Sequence, residues 1–561
     1  MALVSGQVYL GCHHFFYSTH GDTTLGFAKI NQQPMTLKLS VPTIDPSSTV
    51  APETRPRQVQ AWIDALPMTQ IFEASRTLTR SLAELNRVRL TDEDRLRLME
   101  IIYPNVVILQ EELGHDFTGA ALPLPTKARE AAALAREMLI ETSYAYKLAL
   151  LDKSAKGGLF SAKRNSALPV GRAISTLSDI LTTSYRSYNP TPAGVWFEIH
   201  QLYRHASQEG LLDTAPDENS DTPHLVYKKA LLLALADPYH LVHDAQDSVQ
   251  RVIHDNAPAL LLQNYVPDAS MPGLFSVNTL SDMPPRPVAL QQAERDRTHD
   301  LVLQTHDLVI RIDKLASQAE LTTRSGVVRP KDSGHLRRLA QLWSAPPKRI
   351  FRRSATTASI QICFGLKATH YFVGADSKVR EAAIPMSEES LLNTMKMAAL
   401  QLSSSWETFS FNECDLINQS AGGLKLRRDA MHAQELSVGE VVGVRQSSFG
   451  GQTLGVSVGS VRWVQSDDDE ESMEFGVQML APKAAAVLVT AALDINGKSQ
   501  SAMLLPAIPA LQQPESLLVA PGTYSLAGEY TIKDGGRVRK VCATKLLQQT
   551  LRFELFEFSE N

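Results

Sequence analysis

The sequence predicts a multidomain α+β chain, with a helical N-terminal region followed by a region of short antiparallel strands. Three observations carry this. Apolar residues recur at helical spacing from about 56 to 280. After Pro346 the pattern changes to short β-branched runs bounded by Gly, Ser and Asn. Between them, Pro267, Pro272, Pro284, Pro285 and Pro287 mark a boundary over 264–290.

At 561 residues the chain is long enough for roughly three to five domains. A 43% hydrophobic and 20% charged composition excludes a mainly disordered or collagenous chain. Lys+Arg 55 against Asp+Glu 60 gives a net charge of -5, so a general nucleic-acid coat is excluded. Cys12, Cys363, Cys414 and Cys542 lie far apart without a CxxC pair, against a disulfide framework or zinc ribbon and in keeping with a reducing cytoplasm. No apolar stretch approaches the ~20 residues of a membrane span, so no membrane insertion is expected. The first 22 residues lack a basic n-region and carry histidines where an apolar core would be, unlike a secretory signal.

Residues 1–55 read as an irregular extension and linker, with Met35 as a second possible start. Residues 56–280 read as a helical domain, a bundle or repeat-like array. Thr91 and Asp94 form a capping-box pattern, and Pro104 is expected to kink or end the helix that follows. Residues 126–151 are the strongest helix-forming run. Two Thr-Pro pairs, Thr191–Pro192 and Thr222–Pro223, suit an N-cap followed by a first helical residue. Trp196, Ile199 and Tyr203 then share a face, read as core rather than a ligand stack. Residues 281–345 read as a mixed, mainly helical connection. Strands follow within 346–483, interrupted by a helix near 387–402, and 484–561 read as a further β module.

Two short segments carry chemistry. Residues 348–354 concentrate cations: Lys348, Arg349, Arg352 and Arg353. Such a cluster offers planar guanidinium forks to phosphate or to a guanine edge, or is a solvated basic linker. Asn418, Ser420, Gly422 and Gly423 sit where a strand ends. They suit a turn whose polar groups face outward and whose glycines permit positive φ and close ligand approach, or an ordinary β-turn. Other groups point to nothing further. His240 with His243, and Cys12 with His13 and His14, lack an accompanying metal-ligand pattern. The acidic run at 467–471 suits a solvated hairpin tip. There is no P-loop, GxSxG, HExxH or Rossmann pattern, so neither enzyme, metal nor cofactor is expected.

Taken in order, these segments resemble the PilZ domain. Arg349 and Arg353 match that family's RxxxR motif. Asn418, Ser420 and Gly423 match its (D/N)xSxxG motif. Residues 436–444, 459–464 and 474–480 resemble its later strands. Lys348 and Arg352 share the first spacing, but lysine lacks the planar fork. The gap before Asn418 is longer than usual, and a helix-like insertion over 375–405 would fill it. The resemblance implies a six-stranded antiparallel β-barrel over 346–483 that binds cyclic di-GMP. It places Arg349 and Arg353 on an N-terminal arm over the phosphates and guanines, with Asn418 and Ser420 on a guanine edge and Gly423 keeping the turn open. Lys348, Arg352 and Gly422 are possible additions. It further implies a cytoplasmic receptor whose arm orders on binding, changing domain arrangement. The output would reach an unidentified protein partner, with the motility or pilus machinery as a candidate, in motility, surface attachment or biofilm control. The alternative is an interaction scaffold whose barrel binds no nucleotide.

Overall fold

Helices come first because the first half of the chain buries apolar stripes at helical period. A computed structural model describes residues 36–44, 52–156, 163–241, 243–264, 273–288, 299–324, 331–344, 353–382, 409–429, 435–445, 455–466, 472–492, 499–509, 513–550 and 552–560. Its helices begin with α1 (Pro56–Asp64), α2 (Ile71–Asn86), α3 (Asp92–Phe117) and α4 (Thr126–Lys156). They continue with α5 (Lys163–Arg186), α6 (Val195–Gln208), α7 (Pro223–Leu235) and α8 (His243–Asn256).

The capping box is present: the Thr91 hydroxyl accepts the Asp94 N–H at 3.1 Å. Thr222 likewise accepts the Leu225 N–H, with Pro223 in the first turn. Helix α3 does not end at Pro104 but runs through it to Phe117, held by an apolar stripe on both sides of it: Leu98, Met99, Ile102, Val106, Leu109 and Leu113. One expectation fails: the other Thr-Pro pair does not start a helix. Helix α6 starts after Gly194, at φ 88°. Its cap comes from far along the chain, where Asp282 accepts the N–H groups of Gly194 (2.6 Å) and Phe197 (3.0 Å). Trp196, Ile199 and Tyr203 are buried in the core as expected.

The helical run ends earlier than 280, in a short sheet that spans the proline-marked boundary. Strands β1 (Leu261–Asn264), β2 (Leu274–Asn278), β3 (Arg286–Pro287) and β4 (Asp300–Gln304) form an antiparallel sheet in the order β1-β4-β2-β3. They are too short for a clear period-2 signal, and β3 contains a proline at the sheet edge. A helical hairpin follows, α9 (His306–Arg324) and α10 (Lys331–Ser344). Trp343 near its end is fully buried, and its carbonyl accepts the Thr305 hydroxyl at 2.5 Å.

Two closed six-stranded antiparallel barrels complete the chain. The first contains β5 (Ser354–Phe364), β6 (Asn412–Ser420), β7 (Gly423–Asp429), β8 (Val441–Arg445), β9 (Ser457–Ser466) and β10 (Ser472–Ala481). Its closed order is β10-β7-β6-β5-β8-β9. Helix α11 (Leu366–Ala382) lies between β5 and β6 in sequence and includes the first part, 375–382, of the expected insertion, whose remainder lies outside the described residues. The helix expected at 387–402 lies outside the described residues, as does the acidic run at 467–471. The second barrel contains β11 (Ala485–Ala491), β12 (Gln500–Leu505), β13 (Ser516–Val519), β14 (Glu529–Asp534), β15 (Arg537–Gln549) and β16 (Glu554–Glu560), closed as β11-β12-β13-β16-β15-β14.

One continuous apolar core joins the helices, the sheet and the first barrel, from Leu78 and Tyr227 through Trp343 to Leu426, Val464 and Phe475. Backbone bonds stitch the same boundary: Leu436 N–H to the Leu122 carbonyl (2.7 Å), and Ser466 N–H to the Tyr188 carbonyl (2.9 Å). A second cluster joins Val373 of α11 and Val441 and Val458 of the first barrel to Met503, Leu518 and Leu555 of the second. No described helix is long and apolar enough to cross a membrane.

Asp282→Ala should lower stability by about 1 kcal/mol, the ordinary worth of an N-cap carboxylate. The check is a lower urea midpoint, with the circular dichroism of the folded state unchanged.

Candidate nucleotide-binding face

The first barrel turns one side of each strand inward and the other outward. Leu424, Leu426, Val464, Phe475 and Val477 fill the interior. On β6 the alternation that buries Cys414 and Leu416 is broken by a register shift before Asn418, which turns Asn418 and Ser420 outward, opposite Lys425 and Gly423.

Asn418 and Ser420 lie at the end of β6, both half-buried. The Ser420 hydroxyl donates to the Gly423 carbonyl at 3.3 Å across the turn into β7. The pairing Ser354↔Gln419 and Ala355↔Asn418 puts Arg353, the exposed residue before β5, next in line with Ser420. The structure thus brings Arg353 to the same barrel end as Asn418, Ser420, Gly422 and Gly423. Lys348, Arg349 and Arg352 lie outside the described residues. Register shifts at Ala355/Ala358 and at Leu416/Asn418 flank this corner. Such bulges commonly re-aim side chains at strand ends.

Neither Gly422 nor Gly423 has the positive φ expected of it. A Cβ on Gly423 would lie 2.7 Å from the Val477 carbonyl oxygen. Glycine is required there because the β10 backbone passes too close for any side chain. The neighbouring Gly422 carbonyl accepts the Met479 N–H at 3.1 Å, fastening the turn to β10.

From Asn418 a row of paired residues crosses the outer face: Asn418↔Lys425, Lys425↔Gly476 and Gly476↔Trp463. The indole of Trp463 lies over Gly476, where any Cβ would collide with it. The Lys425 ammonium stands 5.9 Å from the same ring. Lys425 and Arg427 both pair with Glu474, at 2.6 and 2.8 Å. Burial pushes the Glu474 carboxyl up, but hydrogen bonds and charge from these two cations outweigh it and hold it below its ordinary range. The face therefore offers polar groups and a guanidinium at the turn, a half-exposed aromatic ring across the sheet, and cations between. Such a surface can pair with phosphate and stack a flat base. Trp463 falls in the run 459–464 that the sequence marks as a strand, but its place in this row was not legible there. Nor was β7, and therefore Lys425. The alternation of β7 starts as Leu424 and Leu426, but its third inward position is Arg428, whose guanidinium stacks over Phe364 at 4.8 Å.

Among the described residues no cluster of His, Cys, Asp and Glu could hold a metal ion. His240 instead lies 2.6 Å from Asp237.

A small antiparallel barrel with this turn and this arginine is the architecture of a PilZ domain, here set between a helical domain and a second barrel. The chain belongs to the family that combines these three parts. Family models described as "Cyclic-di-GMP receptor FimW, N-terminal domain", "Cyclic-di-GMP receptor FimW, middle PilZ domain" and "FimW C-terminal beta-barrel domain" match residues 57–268, 274–406 with 377–486, and 485–560. The chain is 25% identical over 579 residues, covering 94% of both proteins, to the "Cyclic-di-GMP receptor FimW" of Pseudomonas aeruginosa. No solved structure matches it.

Gly423→Ala should destabilise the protein by about 1–3 kcal/mol, because the obstructing atom is backbone and cannot rotate away. Denaturation monitored by circular dichroism tests this, with an unchanged midpoint as the contrary result.

Proposed function

We propose that this protein is a non-enzymatic cyclic di-GMP receptor. The observation that carries the reading is the register of β5 on β6, which sets Arg353 beside Asn418 and Ser420 although the two motifs are far apart in sequence. The match to the PilZ model and the printed name of the Pseudomonas relative support it.

In this reading Arg349 and Arg353 close over the phosphates and guanines from the segment preceding β5. Their guanidinium groups supply charge-assisted hydrogen bonds and stacking. Asn418 and Ser420 take a guanine edge. Gly423 keeps β7 and β10 close enough to hold the turn in place. Trp463, in the row that begins at Asn418, offers the second base a flat surface.

The segment carrying Arg349 follows α10 directly. Its ordering on the ligand would pull on the α9–α10 hairpin, whose end is fastened through Trp343 to Thr305. A wholesale rotation of the barrel would have to open the core it shares with the helices. The domain rearrangement we propose is therefore a shift of this hairpin relative to the barrel. It would be read by a protein partner, in motility, surface attachment or biofilm control, in the cytoplasm.

Calorimetric titration of cyclic di-GMP into the wild type, Arg353→Ala and Ser420→Ala tests the reading. Saturable binding by the wild type is expected, weakened roughly tenfold or more in each variant, the worth of a charge-assisted or buried hydrogen bond. No binding by the wild type overturns the receptor reading. Equal binding by all three overturns the site.

A further inference from the structure

Residues 37–40 are held against α6 as an added strand would be held against a sheet edge, although α6 is a helix. Two side chains of that helix substitute for the missing neighbour. The Gln201 carboxamide oxygen accepts the Lys38 N–H at 2.9 Å, and its nitrogen donates to the Lys38 carbonyl at 2.8 Å. One turn earlier, Glu198 accepts the Ser40 N–H at 2.5 Å. The other Glu198 oxygen accepts the Lys147 ammonium at 2.8 Å, and that pair is almost completely enclosed, with side chains 2% and 6% exposed.

Burying an ion pair costs desolvation that its own attraction barely recovers. Here the carboxylate divides its two oxygens, one for a lysine and one for a backbone N–H. Without the segment, Glu198 and Gln201, both buried, would lose three hydrogen bonds to its backbone. The segment itself contributes little identity. Leu37 and Leu39 pack against the core, while the Lys38 and Ser40 side chains point away and are exposed. Backbone hydrogen bonds plus alternate apolar side chains are the recognition mode of an extended peptide.

We infer that this groove, formed by α6 with Lys147 of α4 behind it, is a binding site for extended peptides. Residues 37–40 occupy it in cis. The partner it fits is a protein segment with two apolar residues at alternate positions and a free backbone N–H two residues after the one that Gln201 brackets. Such a segment would displace the chain's own. A tethered occupant competes at an effective concentration near millimolar, so the site is masked until the cis segment is drawn off or outcompeted. This site is separate from the nucleotide face and stands or falls independently of it.

The probe is a fluorescent peptide spanning residues 35–45. Full-length protein carrying Leu37→Asp and Leu39→Asp should bind it about tenfold or more tightly than the wild type does, because the tethered competitor is gone. Adding Gln201→Ala to that variant should weaken binding roughly tenfold, through two lost backbone hydrogen bonds. A peptide with Ser40→Pro, lacking the N–H, should bind poorly, and one with Lys38→Ala as well as the parent. No peptide binding by a correctly folded double variant overturns the inference, as does indifference to Gln201→Ala. Should the double variant not fold, hydrogen exchange on the wild type decides. Excess isotope-labelled peptide should accelerate exchange at the chain's own Lys38 and Ser40 amides, and unchanged exchange overturns displacement.

Discussion

The first barrel closes around a single crowded strand. β10 runs between β7 and β9 so tightly that glycine is required on each of the three. Gly423 faces the Val477 carbonyl, a Cβ on Gly459 would lie 2.6 Å from the Val477 side chain, and Gly476 lies beneath the Trp463 indole. These contacts fix the spacing of the seam, and the spacing fixes the turn after Ser420, because Gly422 is hydrogen-bonded to β10. Asn418 and Ser420 are thus positioned by the packing of a strand that carries neither motif. A rigid turn lets a receptor select a ligand without ordering its own site first.

The same barrel is not an independent bead on a string. Its core is continuous with the helical domain, and its far side packs through α11 against the second barrel. Arg445 and the Val456 N–H both bond to Asp376 of α11, closing that side. On the proposed reading, a signal from the outer face would therefore have few ways out that leave the core intact. The segment before β5 is one, because it joins the site to a helical hairpin. Within the helical domain, α6 has a comparable convergence. Asp282 caps it, and His200 bonds both the Tyr227 hydroxyl and the Met283 carbonyl. Glu198 and Gln201 of the same helix hold the segment near the N-terminus.

Much of this was legible in sequence where the cause is local. The strands around 358–364, 441–445 and 457–480 announce themselves by β-branched runs. The capping residues Thr91 and Thr222 act within one turn. The motif residues Asn418 and Ser420 sit at a strand end as their spacing implied. What escaped depends on distant partners. No local pattern shows that Asp282 rather than Thr191 caps α6. The strand at 423–429 was hidden because its third inward residue is an arginine stacked on Phe364. The steric need for glycine at 423 was not legible because the Val477 carbonyl that excludes a side chain lies on another strand. The segment at 37–40 read as linker because its partners, Glu198 and Gln201, belong to a helix that the sequence gives no reason to place there.

Hydrogen exchange in the presence and absence of cyclic di-GMP tests the central claim most directly, because it reports where the ligand acts. Protection should appear in fragments covering 345–355 and 416–424, with the second barrel at 513–550 unchanged. A ligand that leaves both of those fragments exchanging as before would contradict the account.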